Sequence, residues 1–240
     1  MPRLSSFATT SQRRKLVSTS TAFQTLLNAK PPWGQYSAAS WNSTTNKLTD
    51  LTGQGRDATT TGVLSGCATG NGATASIAYV SGTTTSTITW PTGSIPATFT
   101  ICTISRYVAT NQQRIFTSVN NNWMHGHRSG AKGIAHYVTA TNGWKTVEAG
   151  IGGVLTNWLN FCGTNNTSIA SPNNILANTF AIGNANGGEG NLILGVNTTG
   201  YELGDFQISQ VLIWDVILTS TEMATVSTAL NTYLSTGALQ

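Results

Sequence analysis

Charge is what this chain has least of. Twelve Lys and Arg with eight Asp and Glu make up only 8% of its 240 residues, against about 25% in an ordinary soluble domain. The surface is therefore mostly neutral and polar, which excludes a protein built to grip phosphate. A net charge of +4 invites a nucleic-acid reading, yet the basic residues are scattered apart from Arg13-Arg14-Lys15. Nucleic acid is thus not the expected partner. No run approaches the ~20 apolar residues of a membrane helix, so no membrane partner is expected either. The opening MPRLSSFATTSQRRKLVSTSTAF lacks the apolar core and small-residue cleavage site of a secretory leader. Export by another route, excision from a longer chain, or release inside a particle is the expectation.

Cysteine is scarce as well. Cys67, Cys102 and Cys162 are an odd number without C-x-x-C spacing. Cys102 in FTICTI and Cys162 in WLNFC sit in apolar runs, where a free thiol behaves as a small hydrophobe. One disulfide between them requires their strands to be neighbours. Helical periodicity is missing between Pro32 and Thr219. The crossover helices of a parallel α/β sheet are therefore excluded.

What remains is abundant Thr, Ser, Asn and Gly with short β-branched segments. Strands are expected near 47–51, 75–80, 85–90, 99–106, 114–118, 133–138, 154–162, 174–177, 179–183 and 206–217. Residues 1–31 form an N-terminal arm, with at most a short helix carrying Phe23, Leu26 and Leu27 on one side. Lys30-Pro31-Pro32-Trp33-Gly34 ends the arm, and 32–240 is one domain. An arm of this kind is either a solvated tail or a segment that docks on a neighbouring subunit.

The best-defined stretch is 204–237, GDFQISQVLIWDVILTSTEMATVSTALNTYLSTG. Phe206, Ile208, Val211 and Ile213 alternate with polar residues, with one slip, as a long strand does. At Thr219 the period changes. Thr219 and Glu222 make a capping box, Met223, Val226, Leu230 and Leu234 fall on one helical stripe, and Gly237 ends the helix.

This strand and helix resemble the C-terminal signature of the concanavalin A-like lectin/glucanase superfamily, in its laminin G-like and pentraxin-like branch. The stretch 41–62, WNSTTNKLTDLTGQGRDATTTG, resembles the opening of the same modules, where an Asp precedes a G-x-G-R-x-A turn. The resemblance implies an all-β fold: a two-sheet antiparallel jelly-roll sandwich, here with a short C-terminal amphipathic helix. Neither motif carries chemistry.

The superfamily's hydrolases place paired acids on one strand. Here Asp50, Asp57, Glu148, Glu189, Glu202, Asp205, Asp215 and Glu222 show no such spacing, and a glycosidase needs two carboxyl groups facing one cleft. The chain is therefore expected not to be an enzyme. Calcium needs six or more oxygen ligands. Glu202 and Asp205 alone fall short, so no metal or other cofactor is expected. His125, His127 and His136 lack a neighbouring Cys or carboxylate, which speaks against zinc. No G-x-S-x-G or similar context supports a nucleophile.

Glycan binding needs an aromatic plate beside hydroxyl-reaching polar groups. Trp123, His125, His127, Arg128 and Trp144 supply that combination in the segment 120–145 and are the candidate ligand-binding residues. Trp123 and Trp144 fit core packing equally well, whereas Trp90, Trp158 and Trp214 fit the core better. Two functions follow. One is a non-enzymatic carbohydrate-binding, lectin-like or adhesive surface module with glycans as partners. The other is a structural subunit of a virion or extracellular assembly, with the N-terminal arm making inter-subunit contacts. Either places the chain outside cells or on a virion surface.

Overall fold

A computed structural model describes residues 21–119, 121–138, 147–148, 153–165, 175–183 and 188–240. In chain order the elements are α1 (Ala22–Ala29), β1 (Gly34–Ser37), β2 (Trp41–Asn42), β3 (Lys47–Leu48), β4 (Ala58–Thr61), β5 (Leu64–Gly70) and β6 (Ala73–Gly82). Then come β7 (Thr87–Thr89), β8 (Thr100–Tyr107), β9 (Phe116–Ser118), β10 (Met124–Arg128), β11 (Ala131–His136), β12 (Val147–Glu148) and β13 (Leu159–Thr164). The chain closes with β14 (Ile175–Ala177), β15 (Phe180–Gly183), β16 (Leu194–Val196), β17 (Phe206–Trp214) and α2 (Ser220–Thr236).

The strands form two antiparallel sheets packed face to face. The first runs β15-β14-β13-β8-β17-β6-β5, with β1 also paired to β17; the second runs β12-β11-β10-β9-β16-β7-β4-β3-β2. Between them lies a core that includes Tyr36, Val80, Trp90, Phe99, Ile101, Phe116, Phe161, Phe206, Ile208, Val211 and Ile213.

β17 is an interior strand of the first sheet, paired with β8, β6 and β1, and all nine of its residues are buried. The slip in its alternation is a bulge. Ile208 faces Ser105 and Gln210 faces Ile104, so Ser209 is an extra residue between two consecutive β8 positions. Ser209 Oγ donates to the Ala78 carbonyl at 2.6 Å. After the bulge Val211 and Ile213 point into the sandwich, while Leu212 and Trp214 point to the opposite face.

That opposite face is covered by helix. At α2 the Thr219 hydroxyl accepts from the Glu222 amide at 3.3 Å, and the Glu222 carboxylate accepts from the Thr219 amide at 2.8 Å. Gly237 ends the helix at φ 75°. Met223, Val226, Leu230 and Leu234 press onto Ile77, Cys102, Ile104, Cys162 and Leu212 in a second apolar cluster. Asn160 pins the helix to β13 by donating to the Ser227 carbonyl and hydroxyl and to Asn231 Oδ1, at 2.7, 3.0 and 3.0 Å.

Phe23 and Leu26 of α1 belong to the same cluster. Lys30 ties in further: its ammonium pairs with Glu222 at 2.7 Å and its carbonyl accepts from Trp214 Nε1 at 2.9 Å. Residues 22–30, assigned to the arm from sequence, are thus packed on the first sheet; residues 1–20 lie outside the described residues.

The free-thiol reading of two cysteines is corrected. Cys102 and Cys162 stand directly opposite each other on β8 and β13, 4.0 Å apart at Cα, and are joined in a disulfide. Their strands are neighbours, the condition under which sequence allowed a bridge. Cys67 is free and exposed.

Candidate functional site

The segment 120–132, which lies between the strands expected at 114–118 and 133–138, holds β10 in the interior of the second sheet, between β9 and β11. A strand in that position has its inward side chains enclosed. Trp123, His125 and His127 are each 0% exposed. His125 lies edge-on to Phe161 of the first sheet, 4.7 Å between centroids, and its Nδ1 shares a 2.8 Å hydrogen bond with the Tyr137 hydroxyl. His127 packs on Tyr107 at 4.8 Å, with Ser105 Oγ at 3.4 Å from its Nδ1. Trp123 stacks on Tyr137 at 5.0 Å.

Trp123, His125 and His127 are therefore core, and Trp123 is closed to a sugar in this conformation. The flanking Asn and Gly residues instead surround a strand whose His125 and His127 imidazoles each make one hydrogen-bond contact inside, through Nδ1. Burial pushes both histidines down to about 3, with the Lys132 ammonium adding to the effect at His127, so both stay neutral at ordinary pH. Trp144 lies outside the described residues.

His136 contacts Asn122 Nδ2 through Nε2 at 3.4 Å. Burial, then the nearby Arg114 and Arg128 charges, lower its pKa. Among the described residues no group of three His, Cys, Asp or Glu could hold a metal.

Arg128, the fourth expected residue, remains at the rim and belongs to an ion-pair network. Its guanidinium is 3.5 Å from Glu202 Oε1. Arg114 donates from Nε to Glu202 Oε2 at 2.5 Å and from Nη2 to Asn122 Oδ1 at 2.7 Å, and its guanidinium lies over the Tyr201 ring at 5.0 Å. Glu202 therefore answers two arginines. Asp205 accepts from Asn111 Nδ2 at 2.9 Å and from the Thr84 amide at 3.1 Å. Both carboxylates staple loops, and this accounts for them without a cation.

A different place has the equipment of a binding site. The 50–56 turn is organised by Asp50. Its carboxylate accepts from the amides of Gln35, Thr52 and Arg56 at 3.3, 3.0 and 3.3 Å and from the Thr52 hydroxyl at 2.7 Å. Gly53 and Gly55 supply the positive φ that this turn needs, 77° and 70°. Arg56 is thereby held against Trp33, its guanidinium 4.6 Å from the indole centroid while Nη1 donates to the Trp33 carbonyl.

β1 pairs Gly34 with Ile213 and Gln35 with Leu212. That pairing brings this turn beside Asp215 at the end of β17. The result is a recess of about 380 Å³ whose lining includes Trp33, Gln35, Thr52, Gln54, Arg56 and Asp215. Among the described residues no protein group hydrogen-bonds the side chains of Gln35, Gln54 or Asp215. Sequence reasoning missed the site because its parts come from three distant segments; the G-x-G-R turn was the one signal that touched it.

A second recess, about 460 Å³, lies between α1 and α2, lined chiefly by Thr and Ala and reaching Thr21 and Gln240. There Thr225 and Thr232 turn their hydroxyl protons back onto the Thr221 and Thr228 carbonyls, both at 3.0 Å. Its aromatic, Phe23, is buried. It offers a poorer donor set and no plate.

No family model and no curated protein sequence matches the chain. Solved structures do resemble it in fold. Domain 4 of AbnA, a GH43 extracellular arabinanase from Geobacillus stearothermophilus in complex with arabinotriose, aligns over 80% of this chain and 95% of its own at 13% identity, TM-score 0.57. The binding domain of Paraclostridial Mosquitocidal Protein 1 aligns over 84% of this chain and 53% of its own at 16% identity, TM-score 0.51. The receptor binding domain of botulinum neurotoxin mosaic serotype C/D aligns over 84% and 51% at 13% identity, TM-score 0.50. At such identities the likeness is one of architecture: a two-sheet antiparallel β-sandwich.

Proposed function

We infer that the chain is a non-enzymatic carbohydrate-binding module whose ligand site is the Trp33 recess. The observation that carries this reading is the pairing of a half-buried indole with two uncommitted amides, Gln35 and Gln54, around a cavity of ligand size. Neutral sugars ask for such a set: an apolar ring edge beside groups that both donate and accept. Arg56, over the Trp33 ring, widens the platform and adds donors, while Asp215 offers two acceptors to a vicinal diol. A single carboxylate in the recess supports binding over hydrolysis, which needs two. The arabinotriose held by the arabinanase domain of similar fold supports oligosaccharides as the class to test.

An intrachain disulfide suits an oxidising setting, in keeping with a place outside cells or on a virion surface. The test is calorimetric titration of neutral oligosaccharides, arabino-oligosaccharides included, into the purified chain. Gln35→Ala and Gln54→Ala should each weaken binding about 3- to 10-fold, the worth of one hydrogen bond, with the melting temperature unchanged. A panel without a binder at millimolar concentration, or a binder indifferent to both substitutions, refutes the assignment.

A further inference from the structure

β5 is the outermost strand of the first sheet, beyond β6. An uncovered edge presents a row of unpaired N–H and C=O groups, and proteins ordinarily blunt it with lysine, proline, a bulge or a covering segment. Leu64-Ser65-Gly66-Cys67-Ala68-Thr69-Gly70 contains no charge and no proline. Five of these seven residues are exposed, Leu64 to 73%. The one register irregularity against β6 falls after Ala68, toward the hairpin turn. Cys67 opens onto a recess lined by Gln35, Ser37, Leu51, Ser76, Ala78 and Gln210 among others, none of them charged. Among the described residues of this edge, none carries a charge that would repel a copy of itself.

The strand is also symmetric in a useful way. Cys67 is the middle of the seven residues. In an antiparallel pairing of two identical strands centred there, Leu64 faces the partner's Gly70, Ser65 faces the partner's Thr69, and Cys67 faces the partner's Cys67. This fold already bridges cysteines that are directly opposed on antiparallel strands, Cys102 on β8 and Cys162 on β13.

We propose that β5 is a self-association edge: it pairs with β5 of a second copy about a twofold axis at Cys67, joining two first sheets into one, and the two Cys67 thiols lock the pair as a disulfide. The isologous geometry closes at two copies. The lock needs an oxidant, a small-molecule disulfide such as oxidised glutathione. One Cys67 thiolate attacks it, forming a mixed disulfide and releasing one reduced thiol. The partner's Cys67 then attacks that mixed disulfide and releases the second thiol. Two protein thiols are oxidised and one small disulfide is reduced to two thiols. This proposal does not depend on the glycan recess.

The experiment uses the full chain in a glutathione redox buffer, read by non-reducing electrophoresis, light scattering and hydrogen exchange. A covalent dimer is expected, absent in Cys67→Ser, with slowed exchange at residues 64–70. Register is tested by charge. Ser65→Lys with Thr69→Lys sets like charges opposite each other twice across the interface and should slow dimer formation about tenfold; Ser65→Lys with Thr69→Glu sets opposite charges there and should restore it. Both positions are exposed, so the fold should be kept, and exchange in the unsubstituted dimer decides the matter if it is not. Equal cross-linking by the two charge variants, unprotected β5 amides in the dimer, or a monomer capped by glutathione would each overturn the proposal.

Discussion

Acidification should destabilise this fold well above the pH at which its carboxylates protonate, because two neutral imidazoles are sealed between the sheets. His125 and His127 have folded pKa values lowered to about 3, whereas an unfolded histidine titrates near 6.5. Between those limits the unfolded chain takes up protons that the native one cannot hold. Stability is therefore intact above about pH 6.5 and is lost as pH falls toward 3. Each histidine costs about 1.4 kcal/mol per pH unit across that window. At pH 4.5, two units down, the pair has removed roughly 5 kcal/mol, comparable with the whole stability of many domains.

The groups facing the pair reinforce the direction. Lys132 and each other's imidazole oppose a charge at His127, and Tyr107 and Tyr137 are buried aromatics whose own ionisation is pushed upward. Glu222, the carboxylate held low by Lys30 and Thr219 despite some burial, adds its loss only below about pH 4.5. Urea unfolding at pH 7.5, 6.5, 5.5 and 4.5 should give a stability slope near 2.7 kcal/mol per unit at the acidic end. His127→Gln, which keeps polarity without a titrating proton, should halve that slope. A slope under about 0.5 kcal/mol per unit down to pH 5, or one unaffected by the substitution, refutes the argument.

Two further outcomes are expected. Replacing Cys102 and Cys162 together by Ala should cost up to about 4 kcal/mol, the loop-closure value for their separation, seen as a lower urea midpoint while unfolding remains cooperative. Thr219→Ala removes the hydroxyl half of the capping box and should cost about 1 kcal/mol. Calorimetry should show a fall of about 2–4 °C in melting temperature.

The closing strand and helix were legible from sequence because period, cap and stop signals agree across 206–237. Even the single slip in alternation had a physical counterpart in the Ser209 bulge. β10 was illegible for the opposite reason. Its inward residues are histidines, polar by composition, made compatible with the interior by Tyr137 and Ser105 from other strands. Local pattern cannot announce a partner that lies 12 or 22 residues away in the chain. The cysteine bridge stayed open for a similar reason, since it depends on the β8 to β13 pairing across 60 residues. The Trp33 recess depends on three segments meeting through β1 and β17. The sequence showed the turn that holds Arg56 but not the wall opposite.

Thr21 and Gln240 line the same recess between α1 and α2. Both described ends of the chain are therefore close neighbours on one layer, over the first sheet and away from the second. In a chain begun at Thr21, a short linker from Gln240 to Thr21 would span that gap, so new ends could be cut at the exposed Asn71-Gly72 hairpin with every strand pairing preserved. The closeness of residues 21 and 240 makes circular permutation of the segment 21–240 a practical way to move an attachment point around the molecule.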